Sequence, residues 1–360
     1  MSSRLYRAVG LMSGTSMDGI DAALIETDGE GHIRFLDFAS RPYDDAFRAD
    51  LRAAVLKGAA AMERQMDDDL RAVSRRLTIL HAEVAGTIAK GADVVGFHGH
   101  TIGHRPDRGW TWQIGDGALL AQLLRIEVVD DFRGPDVAAG GQGAPLLPAY
   151  HRALGSGLER PFGVLNLGGV GNLTWIGGGD EIVAFDTGPA NALIDDWLHE
   201  QRGLSFDENG ALASAGDVHE EVLQSMLDLP WFDQAPPKSL DRQDFGIEPV
   251  RALNAEDGAA TLTAFTAETV RLALSHVSSR PQRLLVTGGG RHNPVLMRMI
   301  TERTGIAAEP VEAAGWRGDS MEAEGFAWFA VRKLRGLPTS FPEISGPRQP
   351  VVGGTLHVPS

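Results

Sequence analysis

The feature that most constrains the fold is a strand, glycine turn, strand pattern that occurs twice in the 360-residue chain. In the first copy, the apolar runs Ala8–Met12 and Ile20–Thr27 flank a glycine turn, and 32–40 continues as a third strand. The second copy, FGVLNLGGVGNLTWIGGGDEIVAFD, begins at residue 162. Glycine turns between short apolar runs are typical of β-hairpins. Because helical stretches follow each copy, the sequence predicts a duplicated α/β fold, with one long α/β domain as the alternative.

Length and composition restrict the class of protein. A chain of 360 residues is long enough for two domains of ordinary size. Its 33 Lys and Arg stand against 48 Asp and Glu, so a nucleic acid partner, which needs clustered positive charge, is not expected. The absence of cysteine excludes disulfides and thiolate metal sites. No apolar run approaches the length of a membrane span, so we expect a cytoplasmic protein without a membrane partner.

The turn at 13–19, with the sequence SGTSMDG, has the properties of a phosphate-binding loop. Glycines let the backbone approach a ligand closely, so that successive N–H groups converge on phosphate oxygens. Three hydroxyl side chains add donors, and Asp18 can hold Mg²⁺ through water. The alternative for one such turn is an ordinary hairpin. A second glycine turn at 167–172 favours the phosphate interpretation, because two such hairpins can grip a polyphosphate.

Asp186 is the strongest candidate for a catalytic base. It ends the short apolar run 182–185 and precedes a Thr-Gly-Pro turn and a helix near 191–201. A carboxylate at a strand end beside a glycine turn is placed to face a crevice. Phosphoryl transfer needs a group that orients the nucleophile and accepts its proton, and Asp commonly serves. The alternative is a structural aspartate that caps the following helix.

Two further groups of residues leave alternatives open. The segment TGGG at 287–290 follows an apolar strand, so an adenosine group can lie against its bare backbone, or it is a helix entry without a ligand. It lacks the spacing of a dinucleotide fingerprint. The basic residues Lys238, Arg242 and Arg133 can neutralise phosphate or carboxylate, or simply lie in solvent.

Three histidines, at 98, 100 and 104, are the candidates for a metal site. On one strand, His98 and His100 would point to the same face, as two zinc ligands do. The sequence supplies no obvious third ligand. Substrate recognition or structural hydrogen bonding is therefore the preferred interpretation of these side chains.

Eight segments together resemble the anhydro-N-acetylmuramic acid kinase family. The most specific pieces are GTSMDGID at 14–21 and FDTGP at 185–189. The other segments, in the family's order, are FHGHTIGHRP, DFRGPDVAAGGQGAPLLPAYH, VLNLGGVGNLTW, PPKSLDRQDF, VTGGGRHNP and EAEGFAWFAVRKLRGLPTSFPEISGP. The resemblance runs from about residue 8 to the C-terminus.

This family belongs to the group of sugar kinases, actins and heat-shock chaperone ATPases. The resemblance therefore implies a duplicated actin-like (ribonuclease H-like) fold of two lobes with a central cleft. We expect an N-terminal lobe of residues 1–133 plus 345–360, carrying the first phosphate loop. The C-terminal lobe, 134–344, would carry the second phosphate loop, the catalytic Asp and the adenosine region.

The resemblance also implies a reaction. ATP phosphorylates O6 of 1,6-anhydro-N-acetylmuramic acid while water opens the anhydro ring at C1, giving N-acetylmuramic acid 6-phosphate and ADP in peptidoglycan recycling and amino-sugar catabolism. Asp186 would deprotonate the attacking water. ATP and Mg²⁺ are the implied cofactors, and a homodimer is the implied assembly. The alternatives are a kinase of another small sugar, or an actin-like or chaperone-like ATPase that acts on a protein partner.

Binding residues follow from the same resemblance. Those expected to bind ATP are Ser13, Gly14, Thr15, Ser16, Met17, Asp18, Gly19, Ile20, Gly168, Gly169, Gly171, Asn172, Gly288, Gly289, Gly290 and Asn293. Those expected to bind the sugar are His98, Thr101, Asp116, Arg133 and Glu322, the last resembling the family's second acidic residue near the sugar. The chain departs from the family pattern at His100, where Gln is expected, at Ala190, where Gly is usual, and in the segment PPKSLDRQDF.

Overall fold

The computed structural model describes residues 4–14, 16–179, 181–240 and 244–360. It divides the chain into two compact units. Unit 1 comprises the chain up to Ser156 together with Ser320–Ser360, and unit 2 comprises Gly157–Asp319. Within the described residues, no helix has both the length and the apolar character needed to span a membrane.

Unit 1 is built on a sheet of six strands among the described residues. These strands are β1 (Tyr6–Met12), β2 (Gly19–Thr27), β3 (Ile33–Pro42), β4 (Val94–Phe97), β7 (Glu127–Asp130) and β13 (Thr355–His357), and the hairpin β5 (His100–Arg105) and β6 (Trp110–Ile114) lies apart from them. The helices are α1 (Asp45–Ala60), α2 (Asp68–Ile88), α3 (Gly117–Leu124), α4 (Gly134–Ala138), α5 (Pro148–Leu154), α11 (Met321–Leu334) and α12 (Pro342–Ser345). The sheet order is β13-β7-β4-β1-β2-β3.

Unit 2 repeats this plan with a sheet in the order β10-β9-β8-β11-β12. Its strands are β8 (Phe162–Leu167), β9 (Val170–Ile176), β10 (Ile182–Pro189), β11 (Leu284–Thr287) and β12 (Ala308–Pro310). Its helices are α6 (Asn191–Arg202), α7 (Ala211–Ala215), α8 (Glu220–Leu227), α9 (Ala255–Ala273) and α10 (Pro294–Thr304).

The two sheets share one topology. In unit 1, β1, β2 and β3 form an antiparallel meander, and β4 and then β7 add in parallel beside β1. In unit 2, β8, β9 and β10 form the meander, and β11 and then β12 add in parallel beside β8. This correspondence confirms the predicted duplicated α/β fold, although the amino-acid sequences of the two halves are dissimilar.

Local sequence explains the main helices. Helix α2 begins after Asp67, whose side chain accepts a hydrogen bond from the N–H of Leu70 at 3.0 Å. Its buried residues Leu70, Leu77 and Val84 recur at intervals of seven, as expected for one face of a helix. At the C-terminus, β13 pairs antiparallel with β7.

Helix α11 lies directly on the first sheet. A Cβ atom on Gly10 of β1 would lie 1.8 Å from the carbonyl oxygen of Ala323, and one on Gly96 of β4 would lie 2.0 Å from that of Phe326. Only glycine, which has no side chain, permits this approach of helix backbone to strand backbone. The helix carries the buried side chains Phe326 and Phe329 into the core of unit 1.

This packing explains why the observed units differ from the predicted lobe limits at 133/134 and 344/345. Helix α11 packs on β1, β2 and β4 of unit 1. Tyr150 of α5 donates a hydrogen bond to Glu324 of α11 at 2.7 Å. Ser345 donates to the buried carboxylate of Asp136 in α4 at 2.8 Å. The segments 134–156 and 320–344 therefore belong to unit 1.

Candidate active site

The first glycine turn connects β1 to β2 in unit 1. Its backbone is closed by a hydrogen bond from the N–H of Met17 to the carbonyl of Gly14 at 3.0 Å. The carboxylate of Asp18 is exposed, and its Oδ1 accepts hydrogen bonds from the Ser16 hydroxyl and the Gly19 N–H, each at 2.9 Å. Thr15, which we expect to bind ATP, lies outside the described residues. Asp18 therefore organises the turn through one carboxylate oxygen.

Ser13 belongs to a buried hydrogen-bonded group. The hydroxyl of Tyr43 donates to Ser13 Oγ at 2.7 Å, and Ser13 Oγ is 2.9 Å from His100 Nδ1. Burial lowers the pKa of His100 to about 4, so its ring is neutral at physiological pH. The Ser13 side chain is held by the protein, and the tyrosine that holds it carries no signal in the sequence. Any contact of Ser13 with phosphate is therefore expected from its backbone N–H.

The structure does not support a histidine metal site. His98 follows β4 and His100 begins β5, with Gly99 between them, so they do not occupy one strand as the metal interpretation required. Both ring nitrogens of His98 are engaged by protein groups, and His104 Nδ1 is 3.0 Å from Thr111 Oγ1. Among the described residues, no group of three His, Cys, Asp or Glu side chains is arranged to hold a metal ion.

Arg133 interacts with two other expected sugar-binding residues, with His98 through a hydrogen bond and with Glu322 electrostatically. The guanidinium of Arg133 donates from Nε to His98 at 2.9 Å and from Nη1 to the carbonyl of Gly143 at 2.8 Å. Burial lowers the pKa of Arg133 to about 10, with Glu322 and Asp136 opposing the decrease, so it remains cationic at neutral pH. Glu322 keeps an exposed surface. The protein packed around its carboxyl raises its pKa, and Arg133 opposes that increase.

The other two expected sugar-binding residues have local partners. Thr101 Oγ1 accepts a hydrogen bond from Gln113 Nε2 at 3.0 Å. Asp116 is the N-cap of α3 and accepts from the N–H of Leu119 at 2.8 Å. Asp116 is exposed, so its carboxylate remains accessible to a ligand. A role for either residue in substrate binding stays a prediction.

In unit 2, the second and third glycine turns lie side by side. A Cβ on Gly288 would lie 2.4 Å from Asn166 Oδ1 and 2.7 Å from Leu167, and one on Gly290 would lie 2.6 Å from Leu167 Cβ. Gly288 has φ of 77°, a left-handed conformation that favours glycine. The structure thus brings the expected phosphate residues at 168–172 next to the expected adenosine residues.

Two asparagines at the N-terminal ends of α6 and α10 border these turns. Asn191 Nδ2 donates to the carbonyls of Leu167 at 2.8 Å and Gly168 at 3.1 Å. Asn293 caps α10 by accepting from the N–H groups of Val295 and Leu296. Its side-chain oxygen is therefore engaged, and a contact of its amide nitrogen with ATP stays a prediction.

Ala190, where the family usually has Gly, precedes α6 in this fold. Its φ of −114° is accessible to any residue, and it is fully buried. The position therefore does not need the left-handed conformation that would favour glycine.

Asp186 lies on β10, where its register partner on β9 is Asn172 and where a bulge follows before Gly188. Its Oδ2 accepts a hydrogen bond from the N–H of Leu240 at 2.8 Å. Burial raises the pKa of the Asp186 carboxyl to about 6, and the bond from Leu240 partly opposes the increase. A carboxylate of this strength is ionised at neutral pH and is a stronger base than an exposed aspartate.

Comparison with known proteins identifies close relatives. A model of the family described as "Anhydro-N-acetylmuramic acid kinase" matches residues 6–359. A protein of that name from Rhizorhabdus wittichii is 58% identical over 98% of this chain and 99% of its own length. Another, from Zymomonas mobilis, is 50% identical over 97% of this chain and 99% of its own.

Solved structures give more distant similarities. A ROK family glucokinase from Streptomyces griseus in complex with glucose and AMPPNP is 14% identical, covering 90% of this chain and 99% of its own, with a TM-score of 0.43. Xylulose kinase from Rhodospirillum rubrum is 12% identical, covering 99% of this chain and 94% of its own, with a TM-score of 0.45.

Proposed function

Because the chain belongs to the anhydro-N-acetylmuramic acid kinase family, we propose that it uses ATP and water to convert 1,6-anhydro-N-acetylmuramic acid to N-acetylmuramic acid 6-phosphate and ADP. The observation that carries this proposal is the enclosed carboxylate of Asp186, held by the N–H of Leu240 with a pKa of about 6. It is a base of suitable strength, and it lies on unit 2. The same unit carries the glycine turns that are expected to bind the phosphates and the adenosine of ATP.

In the proposed reaction, Asp186 accepts a proton from water as the water oxygen attacks C1 of the sugar. The C1–O6 bond breaks and leaves its electron pair on O6. O6 attacks the γ-phosphorus of ATP, and the bond to the bridging oxygen breaks to release ADP. No separate acid is needed for O6, because the phosphoryl group captures it.

Catalysis in this scheme depends on positioning and electrostatics. The backbone of the turns at 13–19 and 168–172 would hold the phosphates, and 288–290 would receive the adenosine. Mg²⁺, when bound, would neutralise charge on the phosphates. Asp18 is suited to the water shell of Mg²⁺, because its carboxylate is exposed and its bonds to the described residues Ser16 and Gly19 both use Oδ1. Arg133 and Glu322 would bind the sugar.

The setting is also proposed: a cytoplasmic homodimer that acts on small molecules. The high identity to named relatives over nearly the whole chain supports the substrate assignment.

The test measures ADP release by the purified protein with ATP, Mg²⁺ and 1,6-anhydro-N-acetylmuramic acid, with N-acetylmuramic acid and glucose as control sugars. We expect turnover with the anhydro sugar alone and incorporation of oxygen-18 from labelled water at C1 of a 6-phosphate. Asp186→Asn is expected to reduce turnover about 10²–10⁴-fold while ATP still binds.

Other outcomes would replace the proposal. Phosphorylation of an intact sugar without oxygen-18 at C1 would indicate a different sugar kinase. Slow ATP hydrolysis that no sugar stimulates would indicate an ATPase that acts on a protein partner. Near-normal turnover by Asp186→Asn would remove Asp186 from the role of base.

A further inference from the structure

The backbone segment 238–240 borders Asp186 and contacts it at two points. The N–H of Asp186 donates to the carbonyl of Lys238 at 3.1 Å. Two residues further on, the N–H of Leu240 donates to Asp186 Oδ2 at 2.8 Å. The same short segment therefore holds both the backbone and the carboxylate of the proposed base. Its own position determines where that carboxylate points.

The side chain of Lys238 fastens this segment to the turn at 231–232. Its Nζ donates to the carbonyls of Phe232 at 3.1 Å and Trp231 at 3.4 Å. The same Nζ lies 4.4 Å from the centroid of the Trp231 ring, within the range of a cation–π contact. In return, Trp231 Nε1 donates to the carbonyl of Ser239 at 3.3 Å. We call this set of contacts, made by Trp231, Phe232, Lys238 and Ser239, the lysine clasp.

The clasp is anchored in the core of unit 2. Phe232 is buried, and its ring packs 5.5 Å from that of Phe245 and 5.9 Å from that of Phe265. The carbonyl of Phe232 lies 3.3 Å from His276 Nε2, and the His276 ring packs edge-on against Phe185, the residue before Asp186. The turn at 231–232 is therefore a fixed support, and it is tied to β10 from a second direction.

The segment that the clasp holds is irregular and largely exposed. Residues 233–235 and Ser239 are exposed, and no helix or strand is found in 233–240. An irregular exposed segment loses about 1–2 kcal/mol of backbone entropy for each residue that becomes ordered. Side-chain hydrogen bonds that offset this loss help to fix the position of Leu240. Lys238 supplies such bonds.

We propose that Lys238 is a positioning residue that orients the carboxylate of Asp186 through the backbone of 238–240, and that it is not a phosphate ligand. The inference rests on the proposed role of Asp186 as base. It assigns Lys238 a different task from phosphate neutralisation, the function that its charge alone suggested. The cation serves the clasp by binding two carbonyl oxygens and an indole face.

The two roles predict different kinetics. A lysine that binds phosphate contributes to ATP affinity, so its loss raises the KM for ATP. A lysine that positions the base affects the chemical step, so its loss lowers kcat. Positioning also affects the pH profile, because among the described residues only burial and the Leu240 N–H shift the pKa of Asp186. If Leu240 moves away, the pKa of Asp186 rises and the acid limb of kcat/KM moves to higher pH.

The experiment compares the full-length wild-type protein with Lys238→Met, Lys238→Arg and Trp231→Phe in steady-state ADP release, with Lys90→Met as control. Methionine keeps an apolar stem over Trp231 and removes the donors, whereas arginine restores a cation and donors. Trp231→Phe removes the bond to Ser239 and keeps a smaller aromatic face for the lysine. Lys90 is exposed, so its exchange for methionine is matched in chemistry and distant in role.

We expect Lys238→Met to lower kcat about 10–100-fold, to leave the KM for ATP within about twofold and to move the acid limb of kcat/KM upward. Lys238→Arg should recover most of kcat, and Trp231→Phe should change the same parameters in the same direction by less. Lys90→Met should match wild type. If Lys238→Met does not fold, the arginine and phenylalanine variants carry the comparison.

A raised KM for ATP with unchanged kcat in Lys238→Met would overturn the inference in favour of phosphate binding. Unchanged kinetics in all clasp variants would also overturn it, without favouring phosphate binding. These results are distinguishable from failure of the proposed function. If Asp186→Asn stays active, the base assignment is wrong. If Asp186→Asn is inactive while the folded clasp variants are fully active, only the role of Lys238 is wrong.

Discussion

Arg133 donates a hydrogen bond from Nε to Nε2 of His98 at 2.9 Å, and Nδ1 of the same ring lies 2.9 Å from the carbonyl oxygen of Gly99. A guanidinium cannot accept a hydrogen bond and a carbonyl cannot donate one, so the ring is the neutral tautomer with its proton on Nδ1. Burial lowers the pKa of His98 well below its ordinary value, in agreement with that tautomer. His98 thus orients Arg133 without carrying charge.

Removal of the His98 ring is expected to impair sugar use. In His98→Ala, Arg133 Nε loses its acceptor and the guanidinium loses a fixed orientation. Because misplacement of a binding group is costly, kcat/KM for the anhydro sugar should fall about 10–100-fold while the KM for ATP changes little. His98→Gln, whose side-chain oxygen can accept from Arg133, should recover part of the loss. Kinetics with varied sugar concentration measure both effects.

An exposed histidine provides the control for this experiment. His199→Ala, on the outer part of α6, should leave sugar kinetics unchanged. Equal kinetics of His98→Ala and wild type would contradict the orienting role of His98.

The pH profile of turnover should report Asp186. Water activation needs its ionised carboxylate, so kcat/KM is expected to rise with pH and to level off above about 6, the pKa that burial gives this group. His98 is neutral throughout this range and should add no inflection. Glu322→Gln is expected to lower activity yet keep the inflection. Loss of the inflection in that variant would assign it to Glu322.

The same carboxyl should reduce stability at neutral pH. Its pKa is raised from 3.8 to about 6 on folding, so between these values the folded protein binds more protons than the unfolded chain. Stability therefore falls as pH rises through this window, by at most about 3 kcal/mol. Asp186→Asn, which keeps an acceptor for the Leu240 N–H, should thus be more stable than wild type at pH 8 by about 1–3 kcal/mol and similar at pH 4.

Denaturant unfolding at the two pH values measures this difference, with Asp217→Asn, the same exchange at an exposed position, as the control. An equal effect of Asp186→Asn at pH 4 and pH 8 would show that burial does not raise the pKa of this carboxyl.

Close packing of α11 on the first sheet predicts a strong effect of one methyl group. In Gly96→Ala, the new Cβ would lie 2.0 Å from the carbonyl oxygen of Phe326, so strand and helix must separate. We expect a loss of about 3 kcal/mol or more in the free energy of unfolding, or failure to fold.

The matched control is Gly86→Ala in α2, where a Cβ meets no atom within 4 Å. Since alanine is the better helix former, this variant should gain up to about 1 kcal/mol. Similar unfolding midpoints for the two variants would show that α11 does not approach β4 as closely as described.

Several elements of the site are legible in the sequence because their signals are local. Glycine turns between apolar runs indicated both hairpins and the turn at 287–290, and a carboxylate at a strand end indicated Asp186. The repeated order of strands and turns predicted the duplication even though the two halves share few letters. Family resemblance added the reaction and the sugar-binding residues, and close relatives confirm the family.

The environment of these residues was decided by tertiary structure. Ser13 is held by Tyr43 and His100, which lie 30 and 87 residues away along the chain, and Asp186 is held by Leu240, 54 residues away. Such contacts depend on which strands and segments become neighbours, and no local pattern encodes that. The histidines at 98 and 100 show the same limit. Their spacing suggested two side chains on one face of one strand, but β4 ends at Phe97 and β5 begins at His100.

The sequence by itself thus determined the type and order of the elements and the chemical identity of the candidate base, because periodicity and turn chemistry act over a few residues. Only the tertiary structure decided the ionisation of Asp186, the tautomer of His98 and the use of the Lys238 cation. Each of these depends on burial and on hydrogen-bond partners, and both are set by parts of the chain far apart in sequence.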